Sequence, residues 1–239
     1  MPSDRVTEAV VLAGGLGTRL RSTVPDVPKP MAPVEGRPFL EYLLDYWIGQ
    51  GVESFVLSVG YLHEVISDHF GSRYRDARIR YSVEETPLGT GGGALLAAGA
   101  LGSASPFLLL NGDTFFEVDL AQLAAFARES DADWCFSLFR AAEAGRYMGM
   151  QVEEDGRITA LRSNTQDIGR LANGGVYLVH PRSLASLGLR PGDKLSLEDE
   201  VFAKAMASGQ RFFGLEFRET FIDIGVPADY HRAAALLRR

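Results

Sequence analysis

Arg19 and Lys29 follow an apolar run and a glycine-rich loop, and that arrangement suits the chemistry of a polyphosphate. The run Val10-Val11-Leu12-Ala13 leads into Gly14-Gly15-Leu16-Gly17-Thr18-Arg19-Leu20, and nine positions after Leu20 comes Lys29, held between Pro28 and Pro30. Glycines at a strand end let backbone N–H groups turn toward an anion with no Cβ in the way. Arg19 supplies a planar fork for phosphate oxygens, while Lys29, on a stiff Pro-flanked segment, supplies a point charge that cannot wander far. Two familiar phosphate loops do not fit. The third glycine of a dinucleotide fingerprint G-x-G-x-x-G, aligned on Gly15 and Gly17, falls at Leu20, and a Walker loop would need Gly-Lys-Ser/Thr where Gly17-Thr18-Arg19 stands.

Two acids complete the set. Asp113 follows the apolar run Phe107-Leu108-Leu109-Leu110 and Asn111-Gly112, so its carboxylate is expected at the mouth of a sheet beside the glycine loop. Asp223 emerges in the same way from Thr220-Phe221-Ile222-Asp223-Ile224-Gly225. Two carboxylates at one cleft call for a cation, and Mg²⁺ takes one or two carboxylates together with phosphate oxygens and water. A lone Asp after a strand is more often a turn or cap residue; here the phosphate loop favours the metal. Asp119 reads as a helix N-cap, Asp229 as a first-turn charge that suits the helix dipole, and Ser196 with Asp199 as capping residues.

Elements that would position these groups alternate along the chain. Thr7 to Ala13, Ser54 to Val59, Ile79 to Val83 and Phe107 to Leu110 read as strands, with helices over Phe39 to Ile48, Glu64 to Phe70 and Gly92 to Leu101 between them. The second half is less regular. Strands are expected over Trp134 to Arg140, Gly149 to Val152, Ile158 to Leu161, Gly175 to Val179 and Phe212 to Glu216, with turns at Asp155-Gly156 and Asn173-Gly174. A helix is expected from Ser196 to about Ala207 and another over Ala228 to Leu237. The pattern is that of an α/β fold, doubly wound and Rossmann-like, with three α/β/α layers around a mostly parallel mixed sheet. Such sheets bind ligands beyond the carboxyl ends of their strands.

The 239 residues, 46% hydrophobic and 23% charged, form one domain with a sizeable core. A net charge of −7 argues against nucleic acid and against an anionic membrane surface. No apolar run approaches the roughly 18 residues that span a bilayer, and Met1-Pro2-Ser3-Asp4-Arg5 lacks a signal pattern. Cys135, the only cysteine, sits in an apolar run and suits a cytoplasmic protein.

Taken together, the ordered motifs resemble those of the sugar-1-phosphate nucleotidyltransferases, and most closely the branch that contains D-glycero-D-manno-heptose 1-phosphate guanylyltransferases. The resemblance runs through Leu12 to Leu20, Pro28-Lys29-Pro30-Met31, Pro87-Leu88-Gly89-Thr90-Gly91-Gly92, Asn111-Gly112-Asp113, Asn173-Gly174-Gly175-Val176-Tyr177 and Phe221 to Gly225. It implies that a nucleoside triphosphate, GTP in this branch, and a sugar 1-phosphate give a nucleotide-sugar of the kind used for surface polysaccharide, plus pyrophosphate, with Mg²⁺ held by Asp113 and Asp223. Arg19 and Lys29 would be catalytic, and Leu12, Ala13, Gly14, Gly15, Gly17, Thr18, Glu84, Gly89 and Asp113 would bind the nucleotide. Asn111, Gly149, Arg162 and Asn173 would meet the sugar phosphate. Glu84 stands where relatives read the base, and a carboxylate there accepts from both N1–H and N2–H₂ of guanine, with Glu85 as a competitor for the role. In one respect the chain departs from the pattern. Many relatives carry Glu-Lys-Pro after the strand at Ile158 to Leu161, the lysine gripping the sugar phosphate, whereas this chain has Arg162-Ser163-Asn164, leaving Arg162 or Arg170 to substitute. Other sugar 1-phosphates, such as mannose 1-phosphate, UTP or dTTP as donor, a silent nucleotide-sugar sensor and a homodimer stay open. A metal-dependent glycosyltransferase is disfavoured because no Asp-x-Asp ends a strand.

Overall fold

Ala9, Val10 and Val11 are all fully buried, which requires layers on both faces of their strand. The computed structural model of the chain describes residues 5–15, 20, 24–142, 147, 149–162 and 168–237; Gly17, Thr18 and Arg19 lie outside the described residues. The strands are β1 (Glu8–Leu12), β2 (Pro33–Val34), β3 (Arg37–Pro38), β4 (Ser54–Val59), β5 (Arg73–Tyr74), β6 (Ala77–Val83), β7 (Phe107–Asn111), β8 (Thr114–Phe116), β9 (Trp134–Arg140), β10 (Gln151–Val152), β11 (Ile158–Ala160), β12 (Leu171–Val179), β13 (Phe212–Glu216) and β14 (Phe221–Asp223). The helices are α1 (Phe39–Gly49), α2 (His63–Phe70), α3 (Gly89–Ala98), α4 (Leu120–Glu129), α5 (Pro181–Ala185), α6 (Phe202–Ala207) and α7 (Pro227–Leu237).

Eight strands form the central sheet in the order β13-β9-β12-β7-β1-β4-β6-β5. β1 pairs in parallel with β4 and β7, β4 with β6, and β9 with β13, while β12 runs antiparallel to both β7 and β9. Strand residues alternate between two cores. Val11, Leu57 and Leu110 pack under α1, α2 and α4, whereas Val10, Val56 and Leu109 pack under α3, α5 and α6. This is the three-layer, doubly wound architecture expected. A third cluster, including Phe115, Ile222, Ile224, Ala233 and Leu237, packs the β8–β14 ribbon against α7. That ribbon brings the end of the chain back to the mouth of the sheet.

Local chemistry explains where several elements start. Asp119 caps α4, its side chain accepting from Gln122 N at 2.9 Å, and Gly156 takes φ +84° in the β10–β11 turn, both as expected. Other boundaries differ. Helix α3 begins at Gly89, three residues before the expected Gly92, because Gly91 N donates to Leu195 O at 2.8 Å and the chain is held helical there. Asn173-Gly174 is not a turn but lies within β12, where the register against β9 shifts between Asn173 and Tyr177. The turn-forming residues serve a β-bulge, with Gly175 at φ +73° and Asn173 Oδ1 accepting from Gly175 N at 3.0 Å. Gly149 stands before β10, in an isolated bridge to Ala172. The helix after Ser196 opens as a π-helical turn, Leu197–Val201, in which Val201 N donates to Ser196 O at 3.1 Å. The widened turn moves the reciprocal acid of the cap by one position. Glu200 Oε2, rather than Asp199, accepts from Ser196 N at 2.7 Å, while Ser196 Oγ accepts from Asp199 N.

Candidate active site

Strands β1 and β7 end side by side, and a cavity of about 480 Å³ opens beyond them. Leu12, Ala13, Gly14, Gly15, Lys29, Glu84, Gly89, Asn111 and Asp113 all line it, so the described members of the expected nucleotide set meet in one place. Ser58, which sequence reasoning passed over, and Thr90, quoted there only within a motif, line it too. The Asn111-Gly112-Asp113 corner is tied down by Gly112 N donating to Leu12 O at 2.9 Å, and a Cβ on Gly112 would lie 2.5 Å from that same oxygen. Glycine is therefore what lets the corner approach β1 closely enough to aim Asp113 at the loop.

Lys29 is the first residue of a single 3₁₀ turn, Lys29–Met31, that Pro28 introduces, and its side chain is only 12% exposed. The ammonium hydrogen-bonds Asp113 Oδ2 and lies 3.9 Å from Asp223 Oδ1. The two acids, far apart in sequence, meet because Asp223 is the register partner of Thr114 in the β14–β8 pair and Ile224 N donates to Asp113 O at 3.0 Å. Gly225 N donates to Asp223 Oδ1 at 2.6 Å; a Cβ on Gly225 would lie 2.6 Å from that oxygen and 3.1 Å from Lys29 Nζ. Both carboxylates thus face one position of positive charge, filled here by an ammonium. Among the described residues no group of three or more His, Cys, Asp or Glu side chains gathers. A pair is the donor set that Mg²⁺ uses when substrate phosphates and water complete its shell, so Asp113 and Asp223 fit that ion.

Glu84 faces the cavity from beyond β6, and Glu85 is not part of the lining. Its carboxylate accepts from Ser58 Oγ at 3.1 Å and from Leu88 N at 3.0 Å. The glycines after it serve packing more than phosphate. Cβ atoms on Gly91 and Gly92 would come within 3 Å of the 193–201 segment, at 2.7 Å from Val201 Cγ2 and 2.3 Å from Asp193 O. Gly89, at φ +75°, does both, since it lines the cavity and presses on Leu195 O.

A second cavity, of about 330 Å³, adjoins the first through Asn111 and reaches Asp223. Arg162 and Asn173 line it; Gly149 does not, and a Cβ there would strike Arg170 Cδ at 2.6 Å. Arg170 donates to Tyr147 O and stands outside the lining, so of the two candidate arginines Arg162 is the one that reaches the cavity, where it pairs with Asp199. Asn173 is occupied in bracing the bulge, its Nδ2 donating to Tyr177 Oη at 2.7 Å. Glu198, unsuspected from the sequence because it sits inside a capping motif, also lines this cavity. A larger cavity, about 650 Å³, opens on the far side of Asp223; its Arg140 and Arg232 are paired with Glu216 and Asp229.

The nucleotidyl transferase family model matches residues 8–239. The D-glycero-α-D-manno-heptose 1-phosphate guanylyltransferase of Aneurinibacillus thermoaerophilus is 38% identical over 226 residues, 95% of this chain and 96% of that protein. The enzyme of the same description from Campylobacter jejuni is 35% identical over 94% of this chain and 97% of its own length. Among solved structures, HddC from Yersinia pseudotuberculosis complexed with GMP-PN superposes with a TM-score of 0.83 at 30% identity, covering 98% of this chain and all of that one. Because the family match starts at the first residue of β1 and runs past the strand that carries Asp223, it takes in both halves of the site, and the chain belongs to the nucleotidyl transferase family.

Proposed function

We propose that the chain transfers GMP from GTP to D-glycero-α-D-manno-heptose 1-phosphate, giving a GDP-heptose and pyrophosphate; two of its relatives carry the name of guanylyltransferases for that heptose phosphate. The observation that carries this reading is the convergence of Lys29, Asp113 and Asp223 where a glycine-lined cavity meets a second one holding Arg162. The triphosphate lies along Gly14 and Gly15, with Arg19 on the leaving pyrophosphate. A sugar phosphate oxygen attacks the α-phosphorus; the bond to the β-bridging oxygen breaks, and pyrophosphate leaves with the electron pair. That attacking oxygen is already anionic, so no general base is needed, and positioning with charge stabilisation supplies the catalysis. Lys29 steadies charge at the reacting phosphorus, while Arg162 holds the sugar phosphate and Asn111 spans the two cavities. Mg²⁺, held by Asp113 and Asp223, would neutralise phosphate charge.

Glu84 reads the base. Each of its oxygens keeps a second lone pair beyond the contacts with Ser58 and Leu88, which suits the two donors of guanine; uracil and thymine offer one, and adenine presents an acceptor at N1. The test is pyrophosphate release with a panel of nucleoside triphosphates and sugar 1-phosphates, with and without Mg²⁺. Release with GTP and the manno-heptose phosphate in preference to other pairs is expected. Preference for UTP or dTTP would remove Glu84 from the base, and silence with every pair would remove the transfer itself.

A further inference from the structure

Among the described residues Glu198 is an acid lining the sugar-side cavity that the proposed reaction leaves without a task. Its neighbours there are committed: Arg162 to Asp199, Asn173 to Tyr177 and Gly175, Asp223 to Gly225 and Lys29. Among the described residues Glu198 makes no hydrogen bond or ion pair through its carboxylate. Glu198 stays open to solvent at the cavity, and partial desolvation followed by the charge of Asp199 pushes its carboxyl upward, with Arg162 opposing the shift. The charge is felt inside as well: the buried Tyr177 hydroxyl is raised first by burial and next by Glu198.

The backbone beneath Glu198 is fixed. It belongs to the π-helical turn capped by Ser196, whose N–H donates to Glu200 and whose hydroxyl accepts from Asp199 N. Leu197 N donates to Thr90 Oγ1 at 2.9 Å, and Leu195 O accepts from Gly91 N at 2.8 Å, so the turn is pinned to the loop that lines the nucleotide cavity. A carboxylate carried on a fixed turn offers two oxygens and only acceptor sites, which suits a pair of adjacent hydroxyl donors and disfavours a ring that lacks one.

We propose that Glu198 is a specificity-determining residue that accepts hydrogen bonds from vicinal hydroxyls of the sugar ring, while Asp199 of the same turn aims Arg162 at the sugar's phosphate. The inference rests on the acceptor being a sugar 1-phosphate, as proposed above. The experiment compares the parent with Glu198→Gln and Glu198→Ala in two readouts: KM for sugar 1-phosphate and for GTP, and calorimetric binding of the same sugar 1-phosphates in the presence of a non-hydrolysable GTP analogue. Loss of a charge-assisted contact raises the sugar KM about 10- to 100-fold in Glu198→Ala, with the GTP KM within about twofold. Monodeoxy sugar 1-phosphates supply the decisive comparison. For the parent, removing the hydroxyl that Glu198 reads weakens binding, and in Glu198→Ala that penalty disappears. An equal rise in both KM values, or deoxy penalties unchanged by the substitution, overturns the proposal in favour of a structural role. Glu198→Gln preserves shape and guards against misfolding. If the parent binds sugar 1-phosphates but releases no pyrophosphate, the proposed reaction falls while the calorimetric comparison still decides the role of Glu198.

Discussion

Replacing Gly93 by alanine sets two effects of known size against each other. Within a helix, alanine is favoured over glycine by about 1 kcal/mol, so on propensity alone Gly93→Ala stabilises α3. The structure predicts the opposite. A Cβ at this position would lie 2.7 Å from Glu84 Oε1 and 2.8 Å from Ser58 Oγ, well inside ordinary contact. Those two atoms are bonded to each other at 3.1 Å, and the second carboxylate oxygen holds Leu88 N at 3.0 Å. Relief requires the carboxylate to withdraw by roughly half an ångström, which breaks at least one hydrogen bond to a charged group, worth about 1.5–3 kcal/mol. The net loss is of order 1 kcal/mol, or roughly 2–4 °C in Tm for a chain of this size. Because the displaced group is the proposed base reader, KM for GTP rises about 10-fold, the size of one lost contact to a charge. Thermal melts and pyrophosphate release at varied GTP check both numbers. Gly15→Ala is the control for the melt, since a Cβ there meets nothing within 4 Å. A Gly93→Ala variant that melts higher than the parent with an unchanged GTP KM would refute both the steric argument and the position assigned to Glu84.

Lys29→Ala and Arg19→Ala each lower kcat at least ~100-fold, as removal of a charge-stabilising donor does, and steady-state pyrophosphate release measures it. Glu198→Gln slightly stabilises the fold at neutral pH: a carboxyl raised by desolvation and by Asp199 costs nothing below its ordinary pKa and its full amount above its folded one, so the small gain in Tm closes as pH falls toward about 4. Asp45→Asn acts in the reverse direction. Burial would raise the Asp45 carboxyl, but hydrogen bonds from Arg75 and Arg37, each 2.8 Å, outweigh it and hold it low. Its contribution is therefore present above the ordinary carboxylate value of about 3.9 and is lost as pH falls below it, which urea unfolding across pH will show as a deficit at pH 7 that vanishes in acid. Cys135 is fully buried, and burial pushes its thiol up to about 12, so thiol reagents at pH 8 will label it only as fast as the protein opens.

The parts of the site legible in the sequence are those that apolar strands aim. Runs such as Val10 to Leu12 and Phe107 to Leu110 fix a strand, and with it the end from which the next polar residue emerges, so Gly14, Asn111 and Asp113 met as expected. Lys29 and Asp223 joined them for the same reason. What stayed hidden depends on contacts between distant segments. Gly91 and Gly92 enter the sequence reading only as members of a motif and a helix start, yet their lack of a side chain serves the approach of residues 193–201. Asn173-Gly174 carries turn chemistry, and a bulge inside a long strand uses the same left-handed glycine. Glu198 and Asp199 occupy a helix start, where acids are ordinary, and only the folded chain shows Glu198 lining a cavity and Asp199 paired with the Arg162 that lines it.

Strand β14, which delivers Asp223, is the last strand among the described residues and pairs with β8 more than a hundred residues earlier in the chain. Seven of the eight strands of the central sheet lie before residue 180 and can pair before β13 and β14 are made. Until β14 is made, Asp113 has only Lys29 as its counterpart, and no second acid is present to help grip a divalent ion. The two acids therefore come together only after most of the central sheet has been made.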